Sequence, residues 1–329
     1  MKINLAVKIG KIELKNPVLV ASGTFGHAKE FERVMDLKKL GGFVTKTVTL
    51  KPRLGNPPPR IVETPSGLLN AIGLQNPGVE KFIKDKLPFL RTLKIPIVVS
   101  VMGYSVEELV SVVKMLEPVL GIDGFEINLS CPNVAYRTTS AGETLGGADS
   151  NVANVSPSDV VRPKMFAHDA GMIEETVSAV RQITHKTVIA KLGPDVSDIA
   201  CMALAAERGG ADAVSLINTL IAMVINIKTR KPVLANKTGG LSGPCIRPIA
   251  VRMVWEVRKK VKIPILGIGG IMNGQDALEF LIAGASAIQV GTANFTNPRV
   301  SLDILDEIKR FMVSEKISDL KQIIGSVKE

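Results

Sequence analysis

Residues 264–280, PILGIGGIMNGQDALEF, read as a short apolar strand, a glycine-rich turn and a helix. Residues 287–295, AIQVGTANF, follow as another strand ending in a second glycine turn. A strand feeding a helix and then a further strand is a parallel βα unit. Backbone N–H groups at such turns, and at the helix starts that follow them, bind dianions. The stretch therefore predicts both a topology and a place for a phosphate.

The same rhythm extends back through the chain. Strands are expected over Pro17–Ala21, Gly42–Thr47, Ile95–Val101, Gly124–Asn128, Thr187–Leu192, Ala213–Asn218, Ile263–Gly267 and Ala287–Val290. Helices are clearest over Val106–Leu116, Ile173–Ile183, Val196–Glu207, Ile246–Lys259 and Gln275–Ala283, where apolar residues recur three or four apart. Continuous apolar runs such as IPIVVSV (95–101) and KTVIAKL (186–192) suit strands buried on both faces. Eight strands in this rhythm predict an α/β fold, a (β/α)8 TIM barrel forming one domain over residues 1–329. A doubly wound dinucleotide fold would show G-x-G-x-x-G after its first strand, and VLVASGTFG (18–26) does not supply it. Two short runs around Lys8-Ile9-Gly10-Lys11 read as an N-terminal β-hairpin that could plug the barrel floor.

Two long segments interrupt the rhythm, Lys51–Gln75 after the second strand and Val134–Asp169 after the fourth. Loops of that length are usually lids or disordered segments. Both leave C-terminal strand ends, where barrel active sites sit. The polar residues gather at the same ends: Lys46 in VTKTV, Asn128, Ser130, Cys131 and Asn133 in EINLSCPN, Lys191 in VIAKL, and Asn218 and Thr219 in SLINTL. Asn70 lies in the loop after strand two. Each residue type also has a plain structural use. Strand-end lysines snorkel, Asn before Pro makes turns, and Cys201 and Cys245 read as small buried hydrophobes. Cys131 differs, because it sits between Ser130 and Pro132 in a polar turn. Together these residues suit a phosphorylated ligand bearing a flat heterocycle with C=O and N–H groups, since side-chain amides both donate and accept. A lysine beside a flavin pyrimidine ring would stabilise the charge that develops on reduction. None of His27, His168 and His185 falls in these motifs, which disfavours histidine acid–base chemistry.

Composition narrows the partners. Only three cysteines occur, without C-x-x-C spacing, so no disulfide framework, structural zinc or iron–sulfur cluster is expected from this chain alone. A reducing, cytoplasmic setting follows. The opening MKINLAVKIGKIELKNP alternates apolar residues with Lys and Gly, unlike a signal peptide. No apolar run is long enough to span a membrane. The net charge of +10 admits nucleic acid, an acidic partner surface or an anionic ligand, but equally an ordinary solvated surface. With one Trp, two Tyr and no recognition motif, nucleic acid is not expected.

The segments NLSCPN (128–133), LLNAIGLQNPG (68–78), INT (217–219), TRKPVLANKTGGLSGP (229–244), GIGGI (267–271) and VGTANF (290–295) resemble class 1 dihydroorotate dehydrogenases. The likeness is strongest to the B subfamily, the FMN-bearing catalytic subunit. It implies FMN-dependent oxidation of (S)-dihydroorotate to orotate in pyrimidine (UMP) synthesis. It implies FMN contacts from Ser22, Lys46, Thr47, Asn128, Lys191, Ile217, Gly243, Gly269, Gly270, Gly291 and Thr292. Substrate contacts are implied for Lys46, Asn70, Ala71, Ile72, Gly73, Leu74, Asn128, Asn133, Asn218 and Thr219. Cys131 matches the base that takes the C5 proton while a hydride leaves C6 for flavin N5. The resemblance also implies a homodimer within a heterotetramer, whose separate subunit carries FAD and a [2Fe–2S] cluster and passes electrons to NAD.

Two departures from the family pattern stand out. Ser100 in IVVSVMG (97–103) replaces the usual Asn, and its hydroxyl cannot reproduce two amide contacts. The 36-residue stretch 134–169 exceeds the about a dozen residues expected there, which reads as an inserted loop. Competing readings are an FMN oxidoreductase for another dihydropyrimidine, and a non-redox phosphate-binding barrel in which Lys46 or Lys191 forms a Schiff base.

Overall fold

A computed structural model describes residues 2–130, 136–138, 144–146 and 168–328. Eight parallel strands close into a barrel: β1 (Val18–Val20), β2 (Gly42–Val44), β3 (Ile97–Val101), β4 (Gly124–Asn128), β5 (Thr187–Leu192), β6 (Ala213–Leu216), β7 (Ile265–Ile268) and β8 (Ala287–Val290). Each pairs with its neighbours in sequence, and β8 pairs with β1, as the alternating pattern predicts. Among the helices that follow strands are α1 (Leu87–Thr92), α2 (Val106–Leu116), α3 (Ala170–Arg181), α4 (Ile199–Arg208), α5 (Arg247–Arg258), α6 (Gly274–Ala283) and α7 (Val300–Ser314). Side-chain caps set several starts. Ser105 accepts from Glu108 N, Asp169 from Gly171 N and Met172 N, and Asn273 from Asp276 N.

The N-terminal hairpin forms as expected. Strands Val7–Ile9 and Ile12–Leu14 pair around a two-residue turn in which Gly10 takes φ 56°. Period-2 alternation buries Val7, Ile9, Ile12 and Leu14 and exposes the residues between. Lys11 N donates to the Thr187 hydroxyl at the N-terminal end of β5, so the hairpin sits at the floor, opposite the C-terminal strand ends.

Several boundaries differ from the expected ones. Helix α4 begins at Ile199 rather than Val196, because the Asp198 carboxylate accepts from Cys201 N and fixes the cap there. Cys201 is exposed on that helix, and so is not a buried hydrophobe; Cys245 is half-buried. Strand β6 ends at Leu216, leaving Ile217 and Asn218 beyond it. Lys46 also lies past its strand. Thr45 N donates to Val98 O, yet the next ladder bond runs from Val48 N to Ser100 O. One strand advances three residues while the other advances two, a bulge that turns Lys46 out of the ladder.

The long segment after β2 is not a loop throughout. Its strands Ile61–Thr64 and Gly67–Asn70 join Gly239–Ser242 and Leu220–Ala222, from the β6–α5 connection, in a four-stranded antiparallel sheet. In the segment after β4, short strands Tyr136–Thr138 and Thr144–Gly146 pair antiparallel. The rest of the expected insertion, 134–169, lies outside the described residues as far as 167. No helix among the described residues is long and apolar enough to cross a membrane.

Candidate active site

A cavity of about 330 Å³ opens at the C-terminal ends of the barrel strands, with the four-stranded sheet as one wall. All eleven residues expected at the cofactor line it: Ser22, Lys46, Thr47, Asn128, Lys191, Ile217, Gly243, Gly269, Gly270, Gly291 and Thr292. So do Asn70, Ile72, Gly73, Leu74, Asn218 and Thr219 from the substrate set. Ala71 does not line it; it is fully buried, its N–H donating to Arg60 O and its carbonyl accepting from the Asn56 amide. Cys131 and Asn133 lie outside the described residues.

One end of the cavity is built from glycine turns. Gly243, Gly269 and Gly270 take φ of 99°, 127° and 74°, a region that admits glycine without strain. A Cβ on Gly270 would stand 2.8 Å from Gly243 O, so the turns after β6 and β7 meet backbone to backbone. A Cβ on Gly291 would make only ordinary van der Waals contacts, 3.7 Å from Ala21 Cβ and 3.8 Å from Thr24 Cγ2. The Thr292 hydroxyl donates to Ser242 Oγ at 2.8 Å and ties the end of β8 to the sheet. Successive amides in such turns form an anion-binding concavity.

The other end is polar. Asn218 Nδ2 donates to Asn128 Oδ1 at 3.3 Å, to Ser130 O at 3.0 Å and to Ser130 Oγ at 3.1 Å. Its own carbonyl accepts from Thr219 N at 2.8 Å. Asn218 thus fixes the backbone immediately before Cys131. Asn70 donates to Gly240 O across the sheet at 3.2 Å. Lys46 makes no ion pair among the described residues, and burial, with the Arg60 guanidinium nearby, draws its ammonium below the ordinary lysine range. Ser22, Thr47 and Ser100 form a hydroxyl chain with links of 3.3 and 3.0 Å. Ser100 is fully buried and touches the cavity only through Thr47.

Sequence reading missed the residues beneath this floor. Glu126 is completely buried inside the barrel. Its Oε2 accepts from the Ser215 hydroxyl at 3.0 Å and from Gln289 Nε2 at 2.7 Å, and its Oε1 stands 3.6 Å from Lys191 Nζ. Two signals were available: a Glu in an apolar strand, and its position two residues before Asn128, hence on the same strand face. Ser242, Gln75, Met272 and Phe295 also line the cavity without having been singled out.

The matching family description spans most of the chain: the family model for dihydroorotate dehydrogenase matches residues 4–312. The chain belongs to the dihydroorotate dehydrogenase family. It is 50% identical over 325 residues to the "Dihydroorotate dehydrogenase B (NAD(+)), catalytic subunit" of Thermodesulfovibrio yellowstonii, covering 99% of each chain. Proteins of the same description from Trichlorobacter lovleyi and Geobacter metallireducens are 47% and 48% identical, over 99% and 98% of each chain. Dihydroorotate dehydrogenases are flavin-dependent, and this site fits FMN. The three left-handed glycines and the cavity-lining Gly291 offer amides to a phosphate. Lys46, Lys191, Asn128 and Asn218 offer donors and acceptors to a ring with C=O and N–H edges.

Proposed function

We propose that this chain is the catalytic subunit of a B-type dihydroorotate dehydrogenase, oxidising dihydroorotate to orotate in pyrimidine synthesis. The observation that carries it is the single cavity joining a glycine cradle at β7 and β8 to Lys46, Lys191, Asn128, Asn218 and Thr219. Gly243, Gly269, Gly270, Gly291 and Thr292 would hold the phosphate of FMN through backbone amides, and Lys191 with Asn128 would serve its heterocycle. Bound there, FMN supplies the acceptor for the hydride that leaves C6 of dihydroorotate.

The chain's own residues do the rest. Asn70, Asn218 and Thr219 orient the dihydropyrimidine through its amide edges and carboxylate. Lys46 adds a positive charge on the substrate side. Cys131 takes the C5 proton. A thiol works best as a base when its surroundings draw its pKa toward the operating pH. Asn218 fixes Ser130, the residue next to Cys131 in the chain. The relatives' description as an NAD(+)-linked catalytic subunit supports a partner subunit. In this reading that partner carries FAD and a [2Fe–2S] cluster, and a homodimer of this chain forms the centre of a cytoplasmic assembly.

The test is acceptor dependence. The purified chain with FMN should oxidise dihydroorotate with an artificial dye as acceptor but not with NAD⁺. Adding a flavin and iron–sulfur subunit should confer the NAD⁺ reaction. Failure to form orotate with any dye would refute the reading.

A further inference from the structure

The buried carboxylate beneath the cavity is not used by the chemistry above. Glu126 has no exposed surface, and Lys191, its counter-charge, is the cavity-lining residue above it. Strand register places Lys191 of β5 beside Asn128 of β4 and beside Ser215 of β6. Glu126 therefore lies one inward step below Asn128, with Ser215 and Gln289 closing round it. Both hydrogen bonds converge on Oε2, while Oε1 has no hydrogen-bond partner and faces the ammonium. A buried charge left alone is costly, so this carboxylate must be matched, and Lys191 is the cation that matches it.

We propose that Glu126 is a positioning residue: from inside the barrel it holds the Lys191 ammonium at the cavity floor and offsets its charge, and so sets how strongly a bound flavin attracts electrons. The inference rests on the proposed function, in which Lys191 faces the flavin heterocycle. A lysine alone beside the ring would stabilise the charge gained on reduction and draw the potential up. A carboxylate behind it weakens that pull, because the interior screens charges poorly. Ser215 and Gln289 fix the carboxylate, so the offset is built into the rigid barrel rather than into a loop.

The test is the flavin reduction potential, read spectroscopically against a reference dye in FMN-loaded protein without substrate. Glu126→Gln keeps the shape and an acceptor for Ser215 and Gln289 but removes the offset. The equilibrium should move toward reduced flavin by about tenfold. The neutral pair Glu126→Gln with Lys191→Met removes both charges, a replacement that buried pairs tolerate. It should return the equilibrium to within about threefold of wild type. If Glu126 offsets nothing, the single variant will match wild type and the double variant will fall by about tenfold or more, the loss of a whole lysine charge. Should the single variant not fold, the double variant decides alone. FMN uptake with this second pattern overturns the inference only. A wild-type chain that takes up no FMN overturns the proposed function, and the inference with it.

Discussion

Gly240→Ala should damage turnover without emptying the cofactor site. Gly240 lies in the wall sheet, paired with Ile221 on one side and Asn70 on the other. A Cβ built there would collide with Thr219 Oγ1 and would stand 2.7 Å from Thr219 Cβ. Rotating the hydroxyl aside relieves only the first clash. Ordinary van der Waals contact begins near 3.4 Å, so Thr219 or the strand must shift by about 0.7 Å, in the wall that carries Asn70. Misplacement of about 1 Å in a substrate-positioning group costs about 10²-fold in rate. That corresponds to about 2.7 kcal/mol of transition-state stabilisation. The assay is single-turnover reduction of the bound flavin by dihydroorotate, with flavin content measured on the same sample. FMN content should be normal and the rate constant per unit substrate lower by about 10²-fold. Wild-type reduction would refute the placement of Thr219 and Asn70 at the substrate. Loss of FMN would show that the wall belongs to the cofactor site instead.

Other perturbations test separate parts of the structure. Asn218→Ala releases three bonds to Asn128 and Ser130. It should slow flavin reduction by about 10²-fold while FMN stays bound, and an unchanged rate would count against Asn218 as a substrate-positioning residue. Ile9 is 1% exposed in the floor plug, so Ile9→Ala should cost about 2–4 kcal/mol in denaturant unfolding with catalysis intact at 25 °C. His27 packs against Phe82, and burial, aided by the Lys86 charge, lowers its pKa from 6.5 to about 4. Between those values the unfolded chain binds a proton that the folded chain refuses, so stability falls as pH falls. Wild type should lose about 2 kcal/mol more than His27→Leu between pH 7.5 and pH 5, seen by denaturation at both pH values.

What the sequence disclosed follows from which forces are local. Eight strands and their parallel order were legible because buried βα strands are continuous apolar runs, and glycine turns mark their ends. Gly269, Gly270, Gly291 and Thr292 were legible for the same reason, since a turn needs particular residues at fixed offsets. The wall sheet was not, because Gly67–Asn70 pairs with Gly239–Ser242 across about 170 residues, and glycine-rich strands carry no alternation to read. The bulge at Lys46 escaped likewise, since it is a mismatch between two ladders and not a property of either strand. Glu126 escaped because only the closed barrel brings β4, β5, β6 and β8 round one carboxylate.

The most direct test of the central claim is an anaerobic titration of the FMN-loaded chain with dihydroorotate, with no acceptor present. The flavin band should bleach as orotate forms in equal amount, and Cys131→Ala should keep its FMN but lose most of this bleaching. A bound flavin that dihydroorotate leaves oxidised in the wild-type chain would contradict it.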